Sequence, residues 1–118
     1  MSLYTLWRTF QSSKELNKLD QITIPPRPEN FKIVFHLYIV FAKKRDKLLK
    51  YCQKNGIEAK VHYPLPLNKQ KAFNIYFADQ KNFTVANKQA KELITLPVHQ
   101  FLSKKQLDFM VKCIKKFY

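Results

Sequence analysis

Glycine is almost missing from this sequence. The 118 residues hold one, Gly56, whereas phosphate-cradling loops of the dinucleotide-binding and P-loop kinds need several for close backbone approach. Nucleotide enzymes of those two types are excluded. Cysteine is scarce as well. Cys52 and Cys113 lie far apart in helical patterns, which suits buried thiols in a reducing cytoplasm and not a disulfide framework or a metal cluster. Long apolar runs are absent: the longest, Ile33 to Ala42, is ten residues interrupted by His36, and a bilayer span needs about 20. Met1-Ser2-Leu3 lacks the basic start, apolar stretch and small-residue cleavage site of a signal peptide. Arginine supplies only 3 of the 22 basic residues, although it carries most bidentate recognition of phosphates and guanines. Acidic residues number eight and are scattered, so no carboxylate pair for acid–base work stands out.

What is present suits one compact domain. A mass of 14.1 kDa buries roughly two-thirds of the unfolded surface, enough for a single core. At 46% hydrophobic and 14% aromatic the chain is too apolar for intrinsic disorder. The net charge of +14 raises the question of a polyanion partner. The lysines are spread along the whole chain, however, as on a solvated surface. Arg27, flanked by prolines, is the one arginine placed to bind a phosphate.

Periodicity sets out the elements. Leu3, Leu6, Trp7, Phe10, Leu16 and Leu19 recur at helical spacing, with a polar break at Gln11 to Lys14. Residues 1–21 therefore form an N-terminal helical arm whose apolar stripe needs a cover, by folding back or by pairing with a second copy into a homodimer. Pro25-Pro26-Arg27-Pro28 forces an extended connector. Ile33 to Phe41 reads as a central strand covered on both faces. Lys44 to Asn55 reads as a helix with Leu48, Leu49 and Cys52 inward, ended by Gly56. Ile57 to His62 reads as a second strand, Tyr63 to Leu67 as a proline-pinned loop, Asn68 to Phe73 as a short helical turn and Asn74 to Lys81 as irregular. Val85 to Leu93 suits a helix and Ile94 to Val98 a short strand. In Ser103 to Phe117 a capping box of Ser103 and Gln106 precedes an apolar stripe. The fold class is α+β: a two-layer domain over residues 22–118, its three-stranded sheet covered by helices Lys44 to Asn55 and Ser103 to Phe117.

Few residues invite chemistry. His36, His62 and His99 lack metal-ligand spacing, and mid-strand His36 reads as a satisfied core residue. Cys52 reads as inert packing. Phe73, Tyr76, Phe77 and Phe83, interleaved with lysines, could stack bases but are expected to fill the core. His62 ends a strand and opens the proline loop, where strands hand side chains to a site, so His62 and Tyr63 are the candidate ligand contacts.

His36-Leu37-Tyr38-Ile39-Val40, Arg45-Asp46-Lys47-Leu48, Asn55-Gly56-Ile57 and His62-Tyr63-Pro64-Leu65-Pro66-Leu67, followed by Ala86 to Ala90, Leu96-Pro97-Val98-His99 and Phe101-Leu102-Ser103, stand in one order. Together they resemble the C-terminal part of the DegT/DnrJ/EryC1/StrS aminotransferases, pyridoxal-phosphate enzymes acting on nucleotide sugars. The resemblance runs from about Ile22 to Tyr118. It implies the small domain of a fold-type I aminotransferase, with His62, Tyr63 and Gln70 touching substrate in an intact enzyme. It also implies that the catalytic lysine and the cofactor site lie in a large N-terminal domain. No lysine here sits in the family's cofactor-lysine context, so no catalytic, cofactor-binding or metal-binding residue is expected. The chain is then a truncated or excised small domain, cytoplasmic, holding no pyridoxal phosphate and inactive alone. Its partners would be the missing large domain or a second aminotransferase chain. A basic module for nucleic acid or another polyanion is the alternative. Two positions depart from the family: Asn68 replaces the usual histidine, and Asn87 stands where an acid is common.

Overall fold

The computed structural model describes residues 11–26, 28, 30–31, 35–77 and 83–118. Along the chain run helix α1 (Gln11–Leu16), strand β1 (Ile22–Thr23), strand β2 (Tyr38–Ala42) and helix α2 (Arg45–Lys54). A 3-10 turn (Leu67–Lys69) follows, then helix α3 (Lys71–Phe77), helix α4 (Thr84–Glu92), strand β3 (Leu93–Leu96) and helix α5 (Lys104–Phe117).

The sheet is antiparallel, in the order β1-β2-β3. Tyr38 lies opposite Leu96 and Val40 opposite Ile94, while Ile22 lies opposite Ala42. Alternation along β2 sends Tyr38, Val40 and Ala42 to one face, all buried, and leaves Ile39 and Phe41 half-buried on the other. Leu48 and Cys52 of α2, the stripe Leu107, Met110, Val111, Cys113 and Ile114 of α5, and Leu16 of α1 cover the buried face. Each large side chain so covered contributes about 1.5–3 kcal/mol, which makes this layer the main source of stability.

Local chemistry sets the helix ends. Ser103 Oγ accepts from the Gln106 N–H at 3.2 Å while Gln106 Oε1 accepts from the Ser103 N–H at 2.8 Å, closing the expected capping box. At the end of α2, Gly56 takes φ 77°, and the Ile57 N–H turns back to the Cys52 carbonyl at 2.9 Å. At its start, the Arg45 side chain is 8% exposed; Nη1 donates to the Leu93 carbonyl and Nε to Asp46 Oδ1, both at 2.6 Å. One arginine thus ties the first turn of α2 to the first residue of β3. The C-terminal Tyr118 hydroxyl donates to the Lys43 carbonyl, and burial pushes its phenol up to about 12.

Several expectations need correction. The central strand begins at Tyr38, because its partner β3 ends at Leu96. Pro97 follows, has no N–H, and stops the ladder there; the strand expected through Val98 ends for the same reason. His36 therefore sits in a bend and is exposed, not a core residue. Ile57 to His62 supplies a single bridge, Lys60 to Thr95. The Ile57 N–H is spent on closing α2 and the Ala59 N–H on the Ile57 carbonyl, so no ladder forms on either side. The third strand is Ile22–Thr23 instead. Residues 74–77 belong to α3 rather than to an irregular stretch. Tyr76 is exposed, and Phe73 and Phe83 pack edge-on with ring centroids 5.7 Å apart, outside the core cluster. Leu3, Leu6, Trp7 and Phe10 of the arm's stripe, Arg27, Ile33 and Val34 lie outside the described residues.

Within the described part of the arm, α1 runs through the polar stretch expected to break it. It packs on its own domain. Leu16 is fully buried, Ser13 Oγ lies 2.5 Å from the Tyr38 hydroxyl, and Glu15 bonds Lys115 of α5 as well as Lys18. Those two ammonium groups, Lys115 first, hold the Glu15 carboxyl down at about 2.

Candidate functional site

After the buried Ala59, Lys60 and Thr95 exchange both backbone hydrogen bonds, at 3.0 and 2.8 Å. That bridge fixes where the chain leaves the sheet edge. Two residues on, His62 Nδ1 lies 3.0 Å from Thr95 Oγ1, and Thr95 is 6% exposed. A buried threonine thus holds the half-buried imidazole. The Tyr63 ring meets His62 edge-on at 5.8 Å and is 73% exposed. Pro64 and Pro66 then carry the chain into the 3-10 turn, which Gln70 ends as its C-cap.

His62 opens onto a cavity of about 310 Å³. All three histidines line it, together with Glu58, Lys60 and Thr95. Glu58 and Lys60 form an ion pair at 2.6 Å, and the Lys60 ammonium lowers the Glu58 carboxyl below its usual range. The Phe101 N–H donates to His99 Nδ1 at 3.3 Å. Among the described residues, no group of three or more His, Cys, Asp or Glu side chains is arranged to hold a metal ion. The two cysteines are free and buried. Desolvation pushes the Cys52 thiol up to about 12 and raises that of Cys113, which leaves both as neutral packing groups.

The structure therefore joins His62 to Tyr63, while Gln70 is exposed and lies outside the residues lining this cavity. Sequence reasoning missed Thr95 as the partner of His62 and missed that His36 and His99 line one cavity. Only the β2–β3 register and the Lys60 bridge bring those segments together. It also missed a link between Asn68 and Asn87. Asn68 Nδ2 donates to Asn87 Oδ1 at 3.1 Å, tying the 3-10 turn to α4. Several apolar side chains after His62 are exposed: Tyr63, Leu65, Leu67, Ile75 and Tyr76. No helix among the described residues is long and apolar enough to cross a membrane.

Comparison with known proteins places this geometry. The chain is 34% identical over 99 residues to a pleiotropic regulatory protein of Geobacillus stearothermophilus, a match covering 84% of this chain and 27% of that protein. It is 26% identical over 96 residues to the dTDP-3-amino-3,6-dideoxy-alpha-D-galactopyranose transaminase of Aneurinibacillus thermoaerophilus, covering 81% of this chain and 26% of that one. The crystal structure of a DegT DnrJ EryC1 StrS aminotransferase from Brucella abortus shares the fold with a TM-score of 0.81 at 24% identity, over 91% of this chain and 28% of that chain. The chain thus spans little more than a quarter of the length of these relatives. The model of the DegT/DnrJ/EryC1/StrS aminotransferase family matches residues 6–115, and the chain belongs to that family.

Proposed function

We propose that this chain is the small-domain part of a pyridoxal-phosphate-dependent sugar aminotransferase, inactive alone, and that in an intact enzyme His62, Tyr63 and Gln70 contact a nucleotide-sugar substrate. The observation that carries the reading is the family match over nearly the whole chain, joined to the position of His62. A buried threonine holds its ring at the point where the chain leaves the sheet for an exposed, proline-pinned loop. The Asn68–Asn87 bond supports the same reading: the two positions that depart from the family pattern pair with each other, so the loop keeps its anchor. We also propose the division into an arm of residues 1–21 and a small domain of residues 22–118, within a reducing compartment that suits the two free thiols.

The described residues of this chain do not fit the cofactor. Pyridoxal phosphate needs a lysine within a pocket that orients the ring and tunes its electronics. Every lysine among the described residues is exposed, and Lys60, which lines the histidine cavity, is ion-paired to Glu58. The chemistry is supplied by the large domain, or by a second aminotransferase chain, against which the exposed apolar side chains after His62 would rest.

A chimera tests the proposal. Residues 6–115 replace the matching segment of the Aneurinibacillus transaminase, and turnover of that enzyme's own substrate is measured. The expected result is retained transamination, with kcat/KM lowered about tenfold or more by His62→Ala, since each tenfold is 1.4 kcal/mol of lost transition-state binding. A chimera that folds and binds cofactor but ignores the loss of His62, Tyr63 and Gln70 would contradict it.

A further inference from the structure

The outer side of α5 borders a groove that the core leaves open. Leu107, Met110, Val111, Cys113 and Ile114 turn inward, so the exposed residues of the helix gather on its other side. That side is basic: Lys104, Lys105, Lys112, Lys115 and Lys116 stand against one acid, Asp108. Lys115 is spent on Glu15. At the margin of the basic side sits Phe109, 52% exposed, with Lys105 and Lys112 within one turn of it and Lys116 two turns on.

Phe109 forms one rim of a concavity of about 280 Å³, whose other walls include Ile57, Pro97, Leu102 and Met110. The polar groups of those walls are already engaged. Gln106 Oε1 accepts from the Ser103 N–H, Glu58 is paired with Lys60, and His99 Nδ1 accepts from the Phe101 N–H. Phe101, 80% exposed, leans on the His99 ring of the groove wall with centroids 6.4 Å apart. A hollow of this kind takes an apolar side chain, since a polar one would lose its water without gaining a partner. Two exposed aromatics beside it mark an interaction surface.

Charge selects the occupant. A second copy of this chain, itself at +14, would bring the same lysine row against this one. A nucleic acid is served by stacking platforms and arginine, whereas α5 has no arginine and its exposed aromatic rims a hollow. An acidic segment supplies both missing complements, carboxylates for the lysines and an apolar side chain for the groove. We propose that the groove and the lysine row of α5 form a docking site for an acidic, amphipathic segment of a partner protein. It seats one apolar side chain between Phe109 and Ile57 and lays its carboxylates along Lys105, Lys112 and Lys116. None of the residues given to substrate contact lines this groove, so the site goes beyond the aminotransferase reading and stands without it.

The full chain is titrated by fluorescence polarisation, at about physiological salt, with a labelled peptide. The peptide has about twelve residues, leucine at every third or fourth position and glutamate elsewhere. Two control peptides replace the glutamates by glutamine or the leucines by serine. The acidic leucine peptide is expected to bind about tenfold tighter than either control and to shift the Met110 methyl resonance. Phe109 lies outside the core cluster, so F109S keeps the fold. F109S and K105Q/K112Q/K116Q should each weaken binding about tenfold. K69Q/K71Q/K88Q, which removes the same charge at exposed positions outside the groove, should leave it unchanged. Equal losses in the two triple variants, equal binding of the serine control, or no saturable binding would overturn the site. So would a DNA duplex or a phosphatidylserine vesicle that binds more tightly than the peptide and loses that binding in F109S.

Discussion

At the residue scale, one buried polar side chain holds two elements together. Arg45 is the only buried charge among the described residues. It stays buried because two of its donors are satisfied, one by a backbone carbonyl on another element. Arg45→Ala is expected to lower unfolding free energy by about 2 kcal/mol in denaturant melts, the scale of a lost hydrogen bond to a charged group. Arg45→Lys should recover only part, because an ammonium lacks the fork that reaches Leu93 and Asp46 together; full recovery would show that packing alone matters there. The Cys52 thiol, pushed up to about 12 by burial, should stay unreactive toward a thiol reagent at about pH 8 until the protein opens. Modification should then follow the unfolding rate. One equivalent reacting in the mixing time would refute burial of both thiols.

Among elements, α1 and α5 carry the clearest tests. Glu15 binds Lys115 and Lys18 with its carboxyl held near 2, against an ordinary value of 4.5. A depressed folded value means that the stability it contributes is present above about 4.5 and is lost as pH falls through about 2. Glu15→Gln should therefore melt slightly lower at neutral pH, with the gap closing as the pH nears 2; a gap that widens in acid would contradict the ion pair. Ser103→Ala removes one half of the capping box and should cost about 1 kcal/mol. The elements with strong local chemistry were legible in the sequence: α5 from its capping box and stripe, the end of α2 from Gly56, and the central place of β2 from its apolar run. The missed ones depend on partners distant in sequence. Ile57, Glu58, Ala59 and Lys60 alternate buried and exposed as a strand does, yet the end of α2 takes the Ile57 N–H. Ile22–Thr23 is too short to stand out before two prolines and exists only because Phe41 and Ala42 offer it an edge. At the candidate site, the sequence showed His62 opening the proline loop, whereas its partner Thr95 comes beside it only through sheet register.

At the scale of the whole molecule, packing and exposed surface divide between two regions. A single core joins the sheet to α1, α2 and α5, while Tyr63, Leu65, Leu67, Ile75 and Tyr76 remain exposed. The chain spans little more than a quarter of its relatives, and its described lysines all face solvent. The central proposal is that the small-domain fold is present here and the cofactor chemistry lies elsewhere. Incubating the purified chain with pyridoxal phosphate, reducing with borohydride and mapping the product by mass spectrometry tests this most directly. The account predicts substoichiometric labelling scattered over many exposed lysines, with no transamination of a nucleotide-linked keto sugar. One stoichiometric adduct at a single lysine, with measurable turnover, would contradict it.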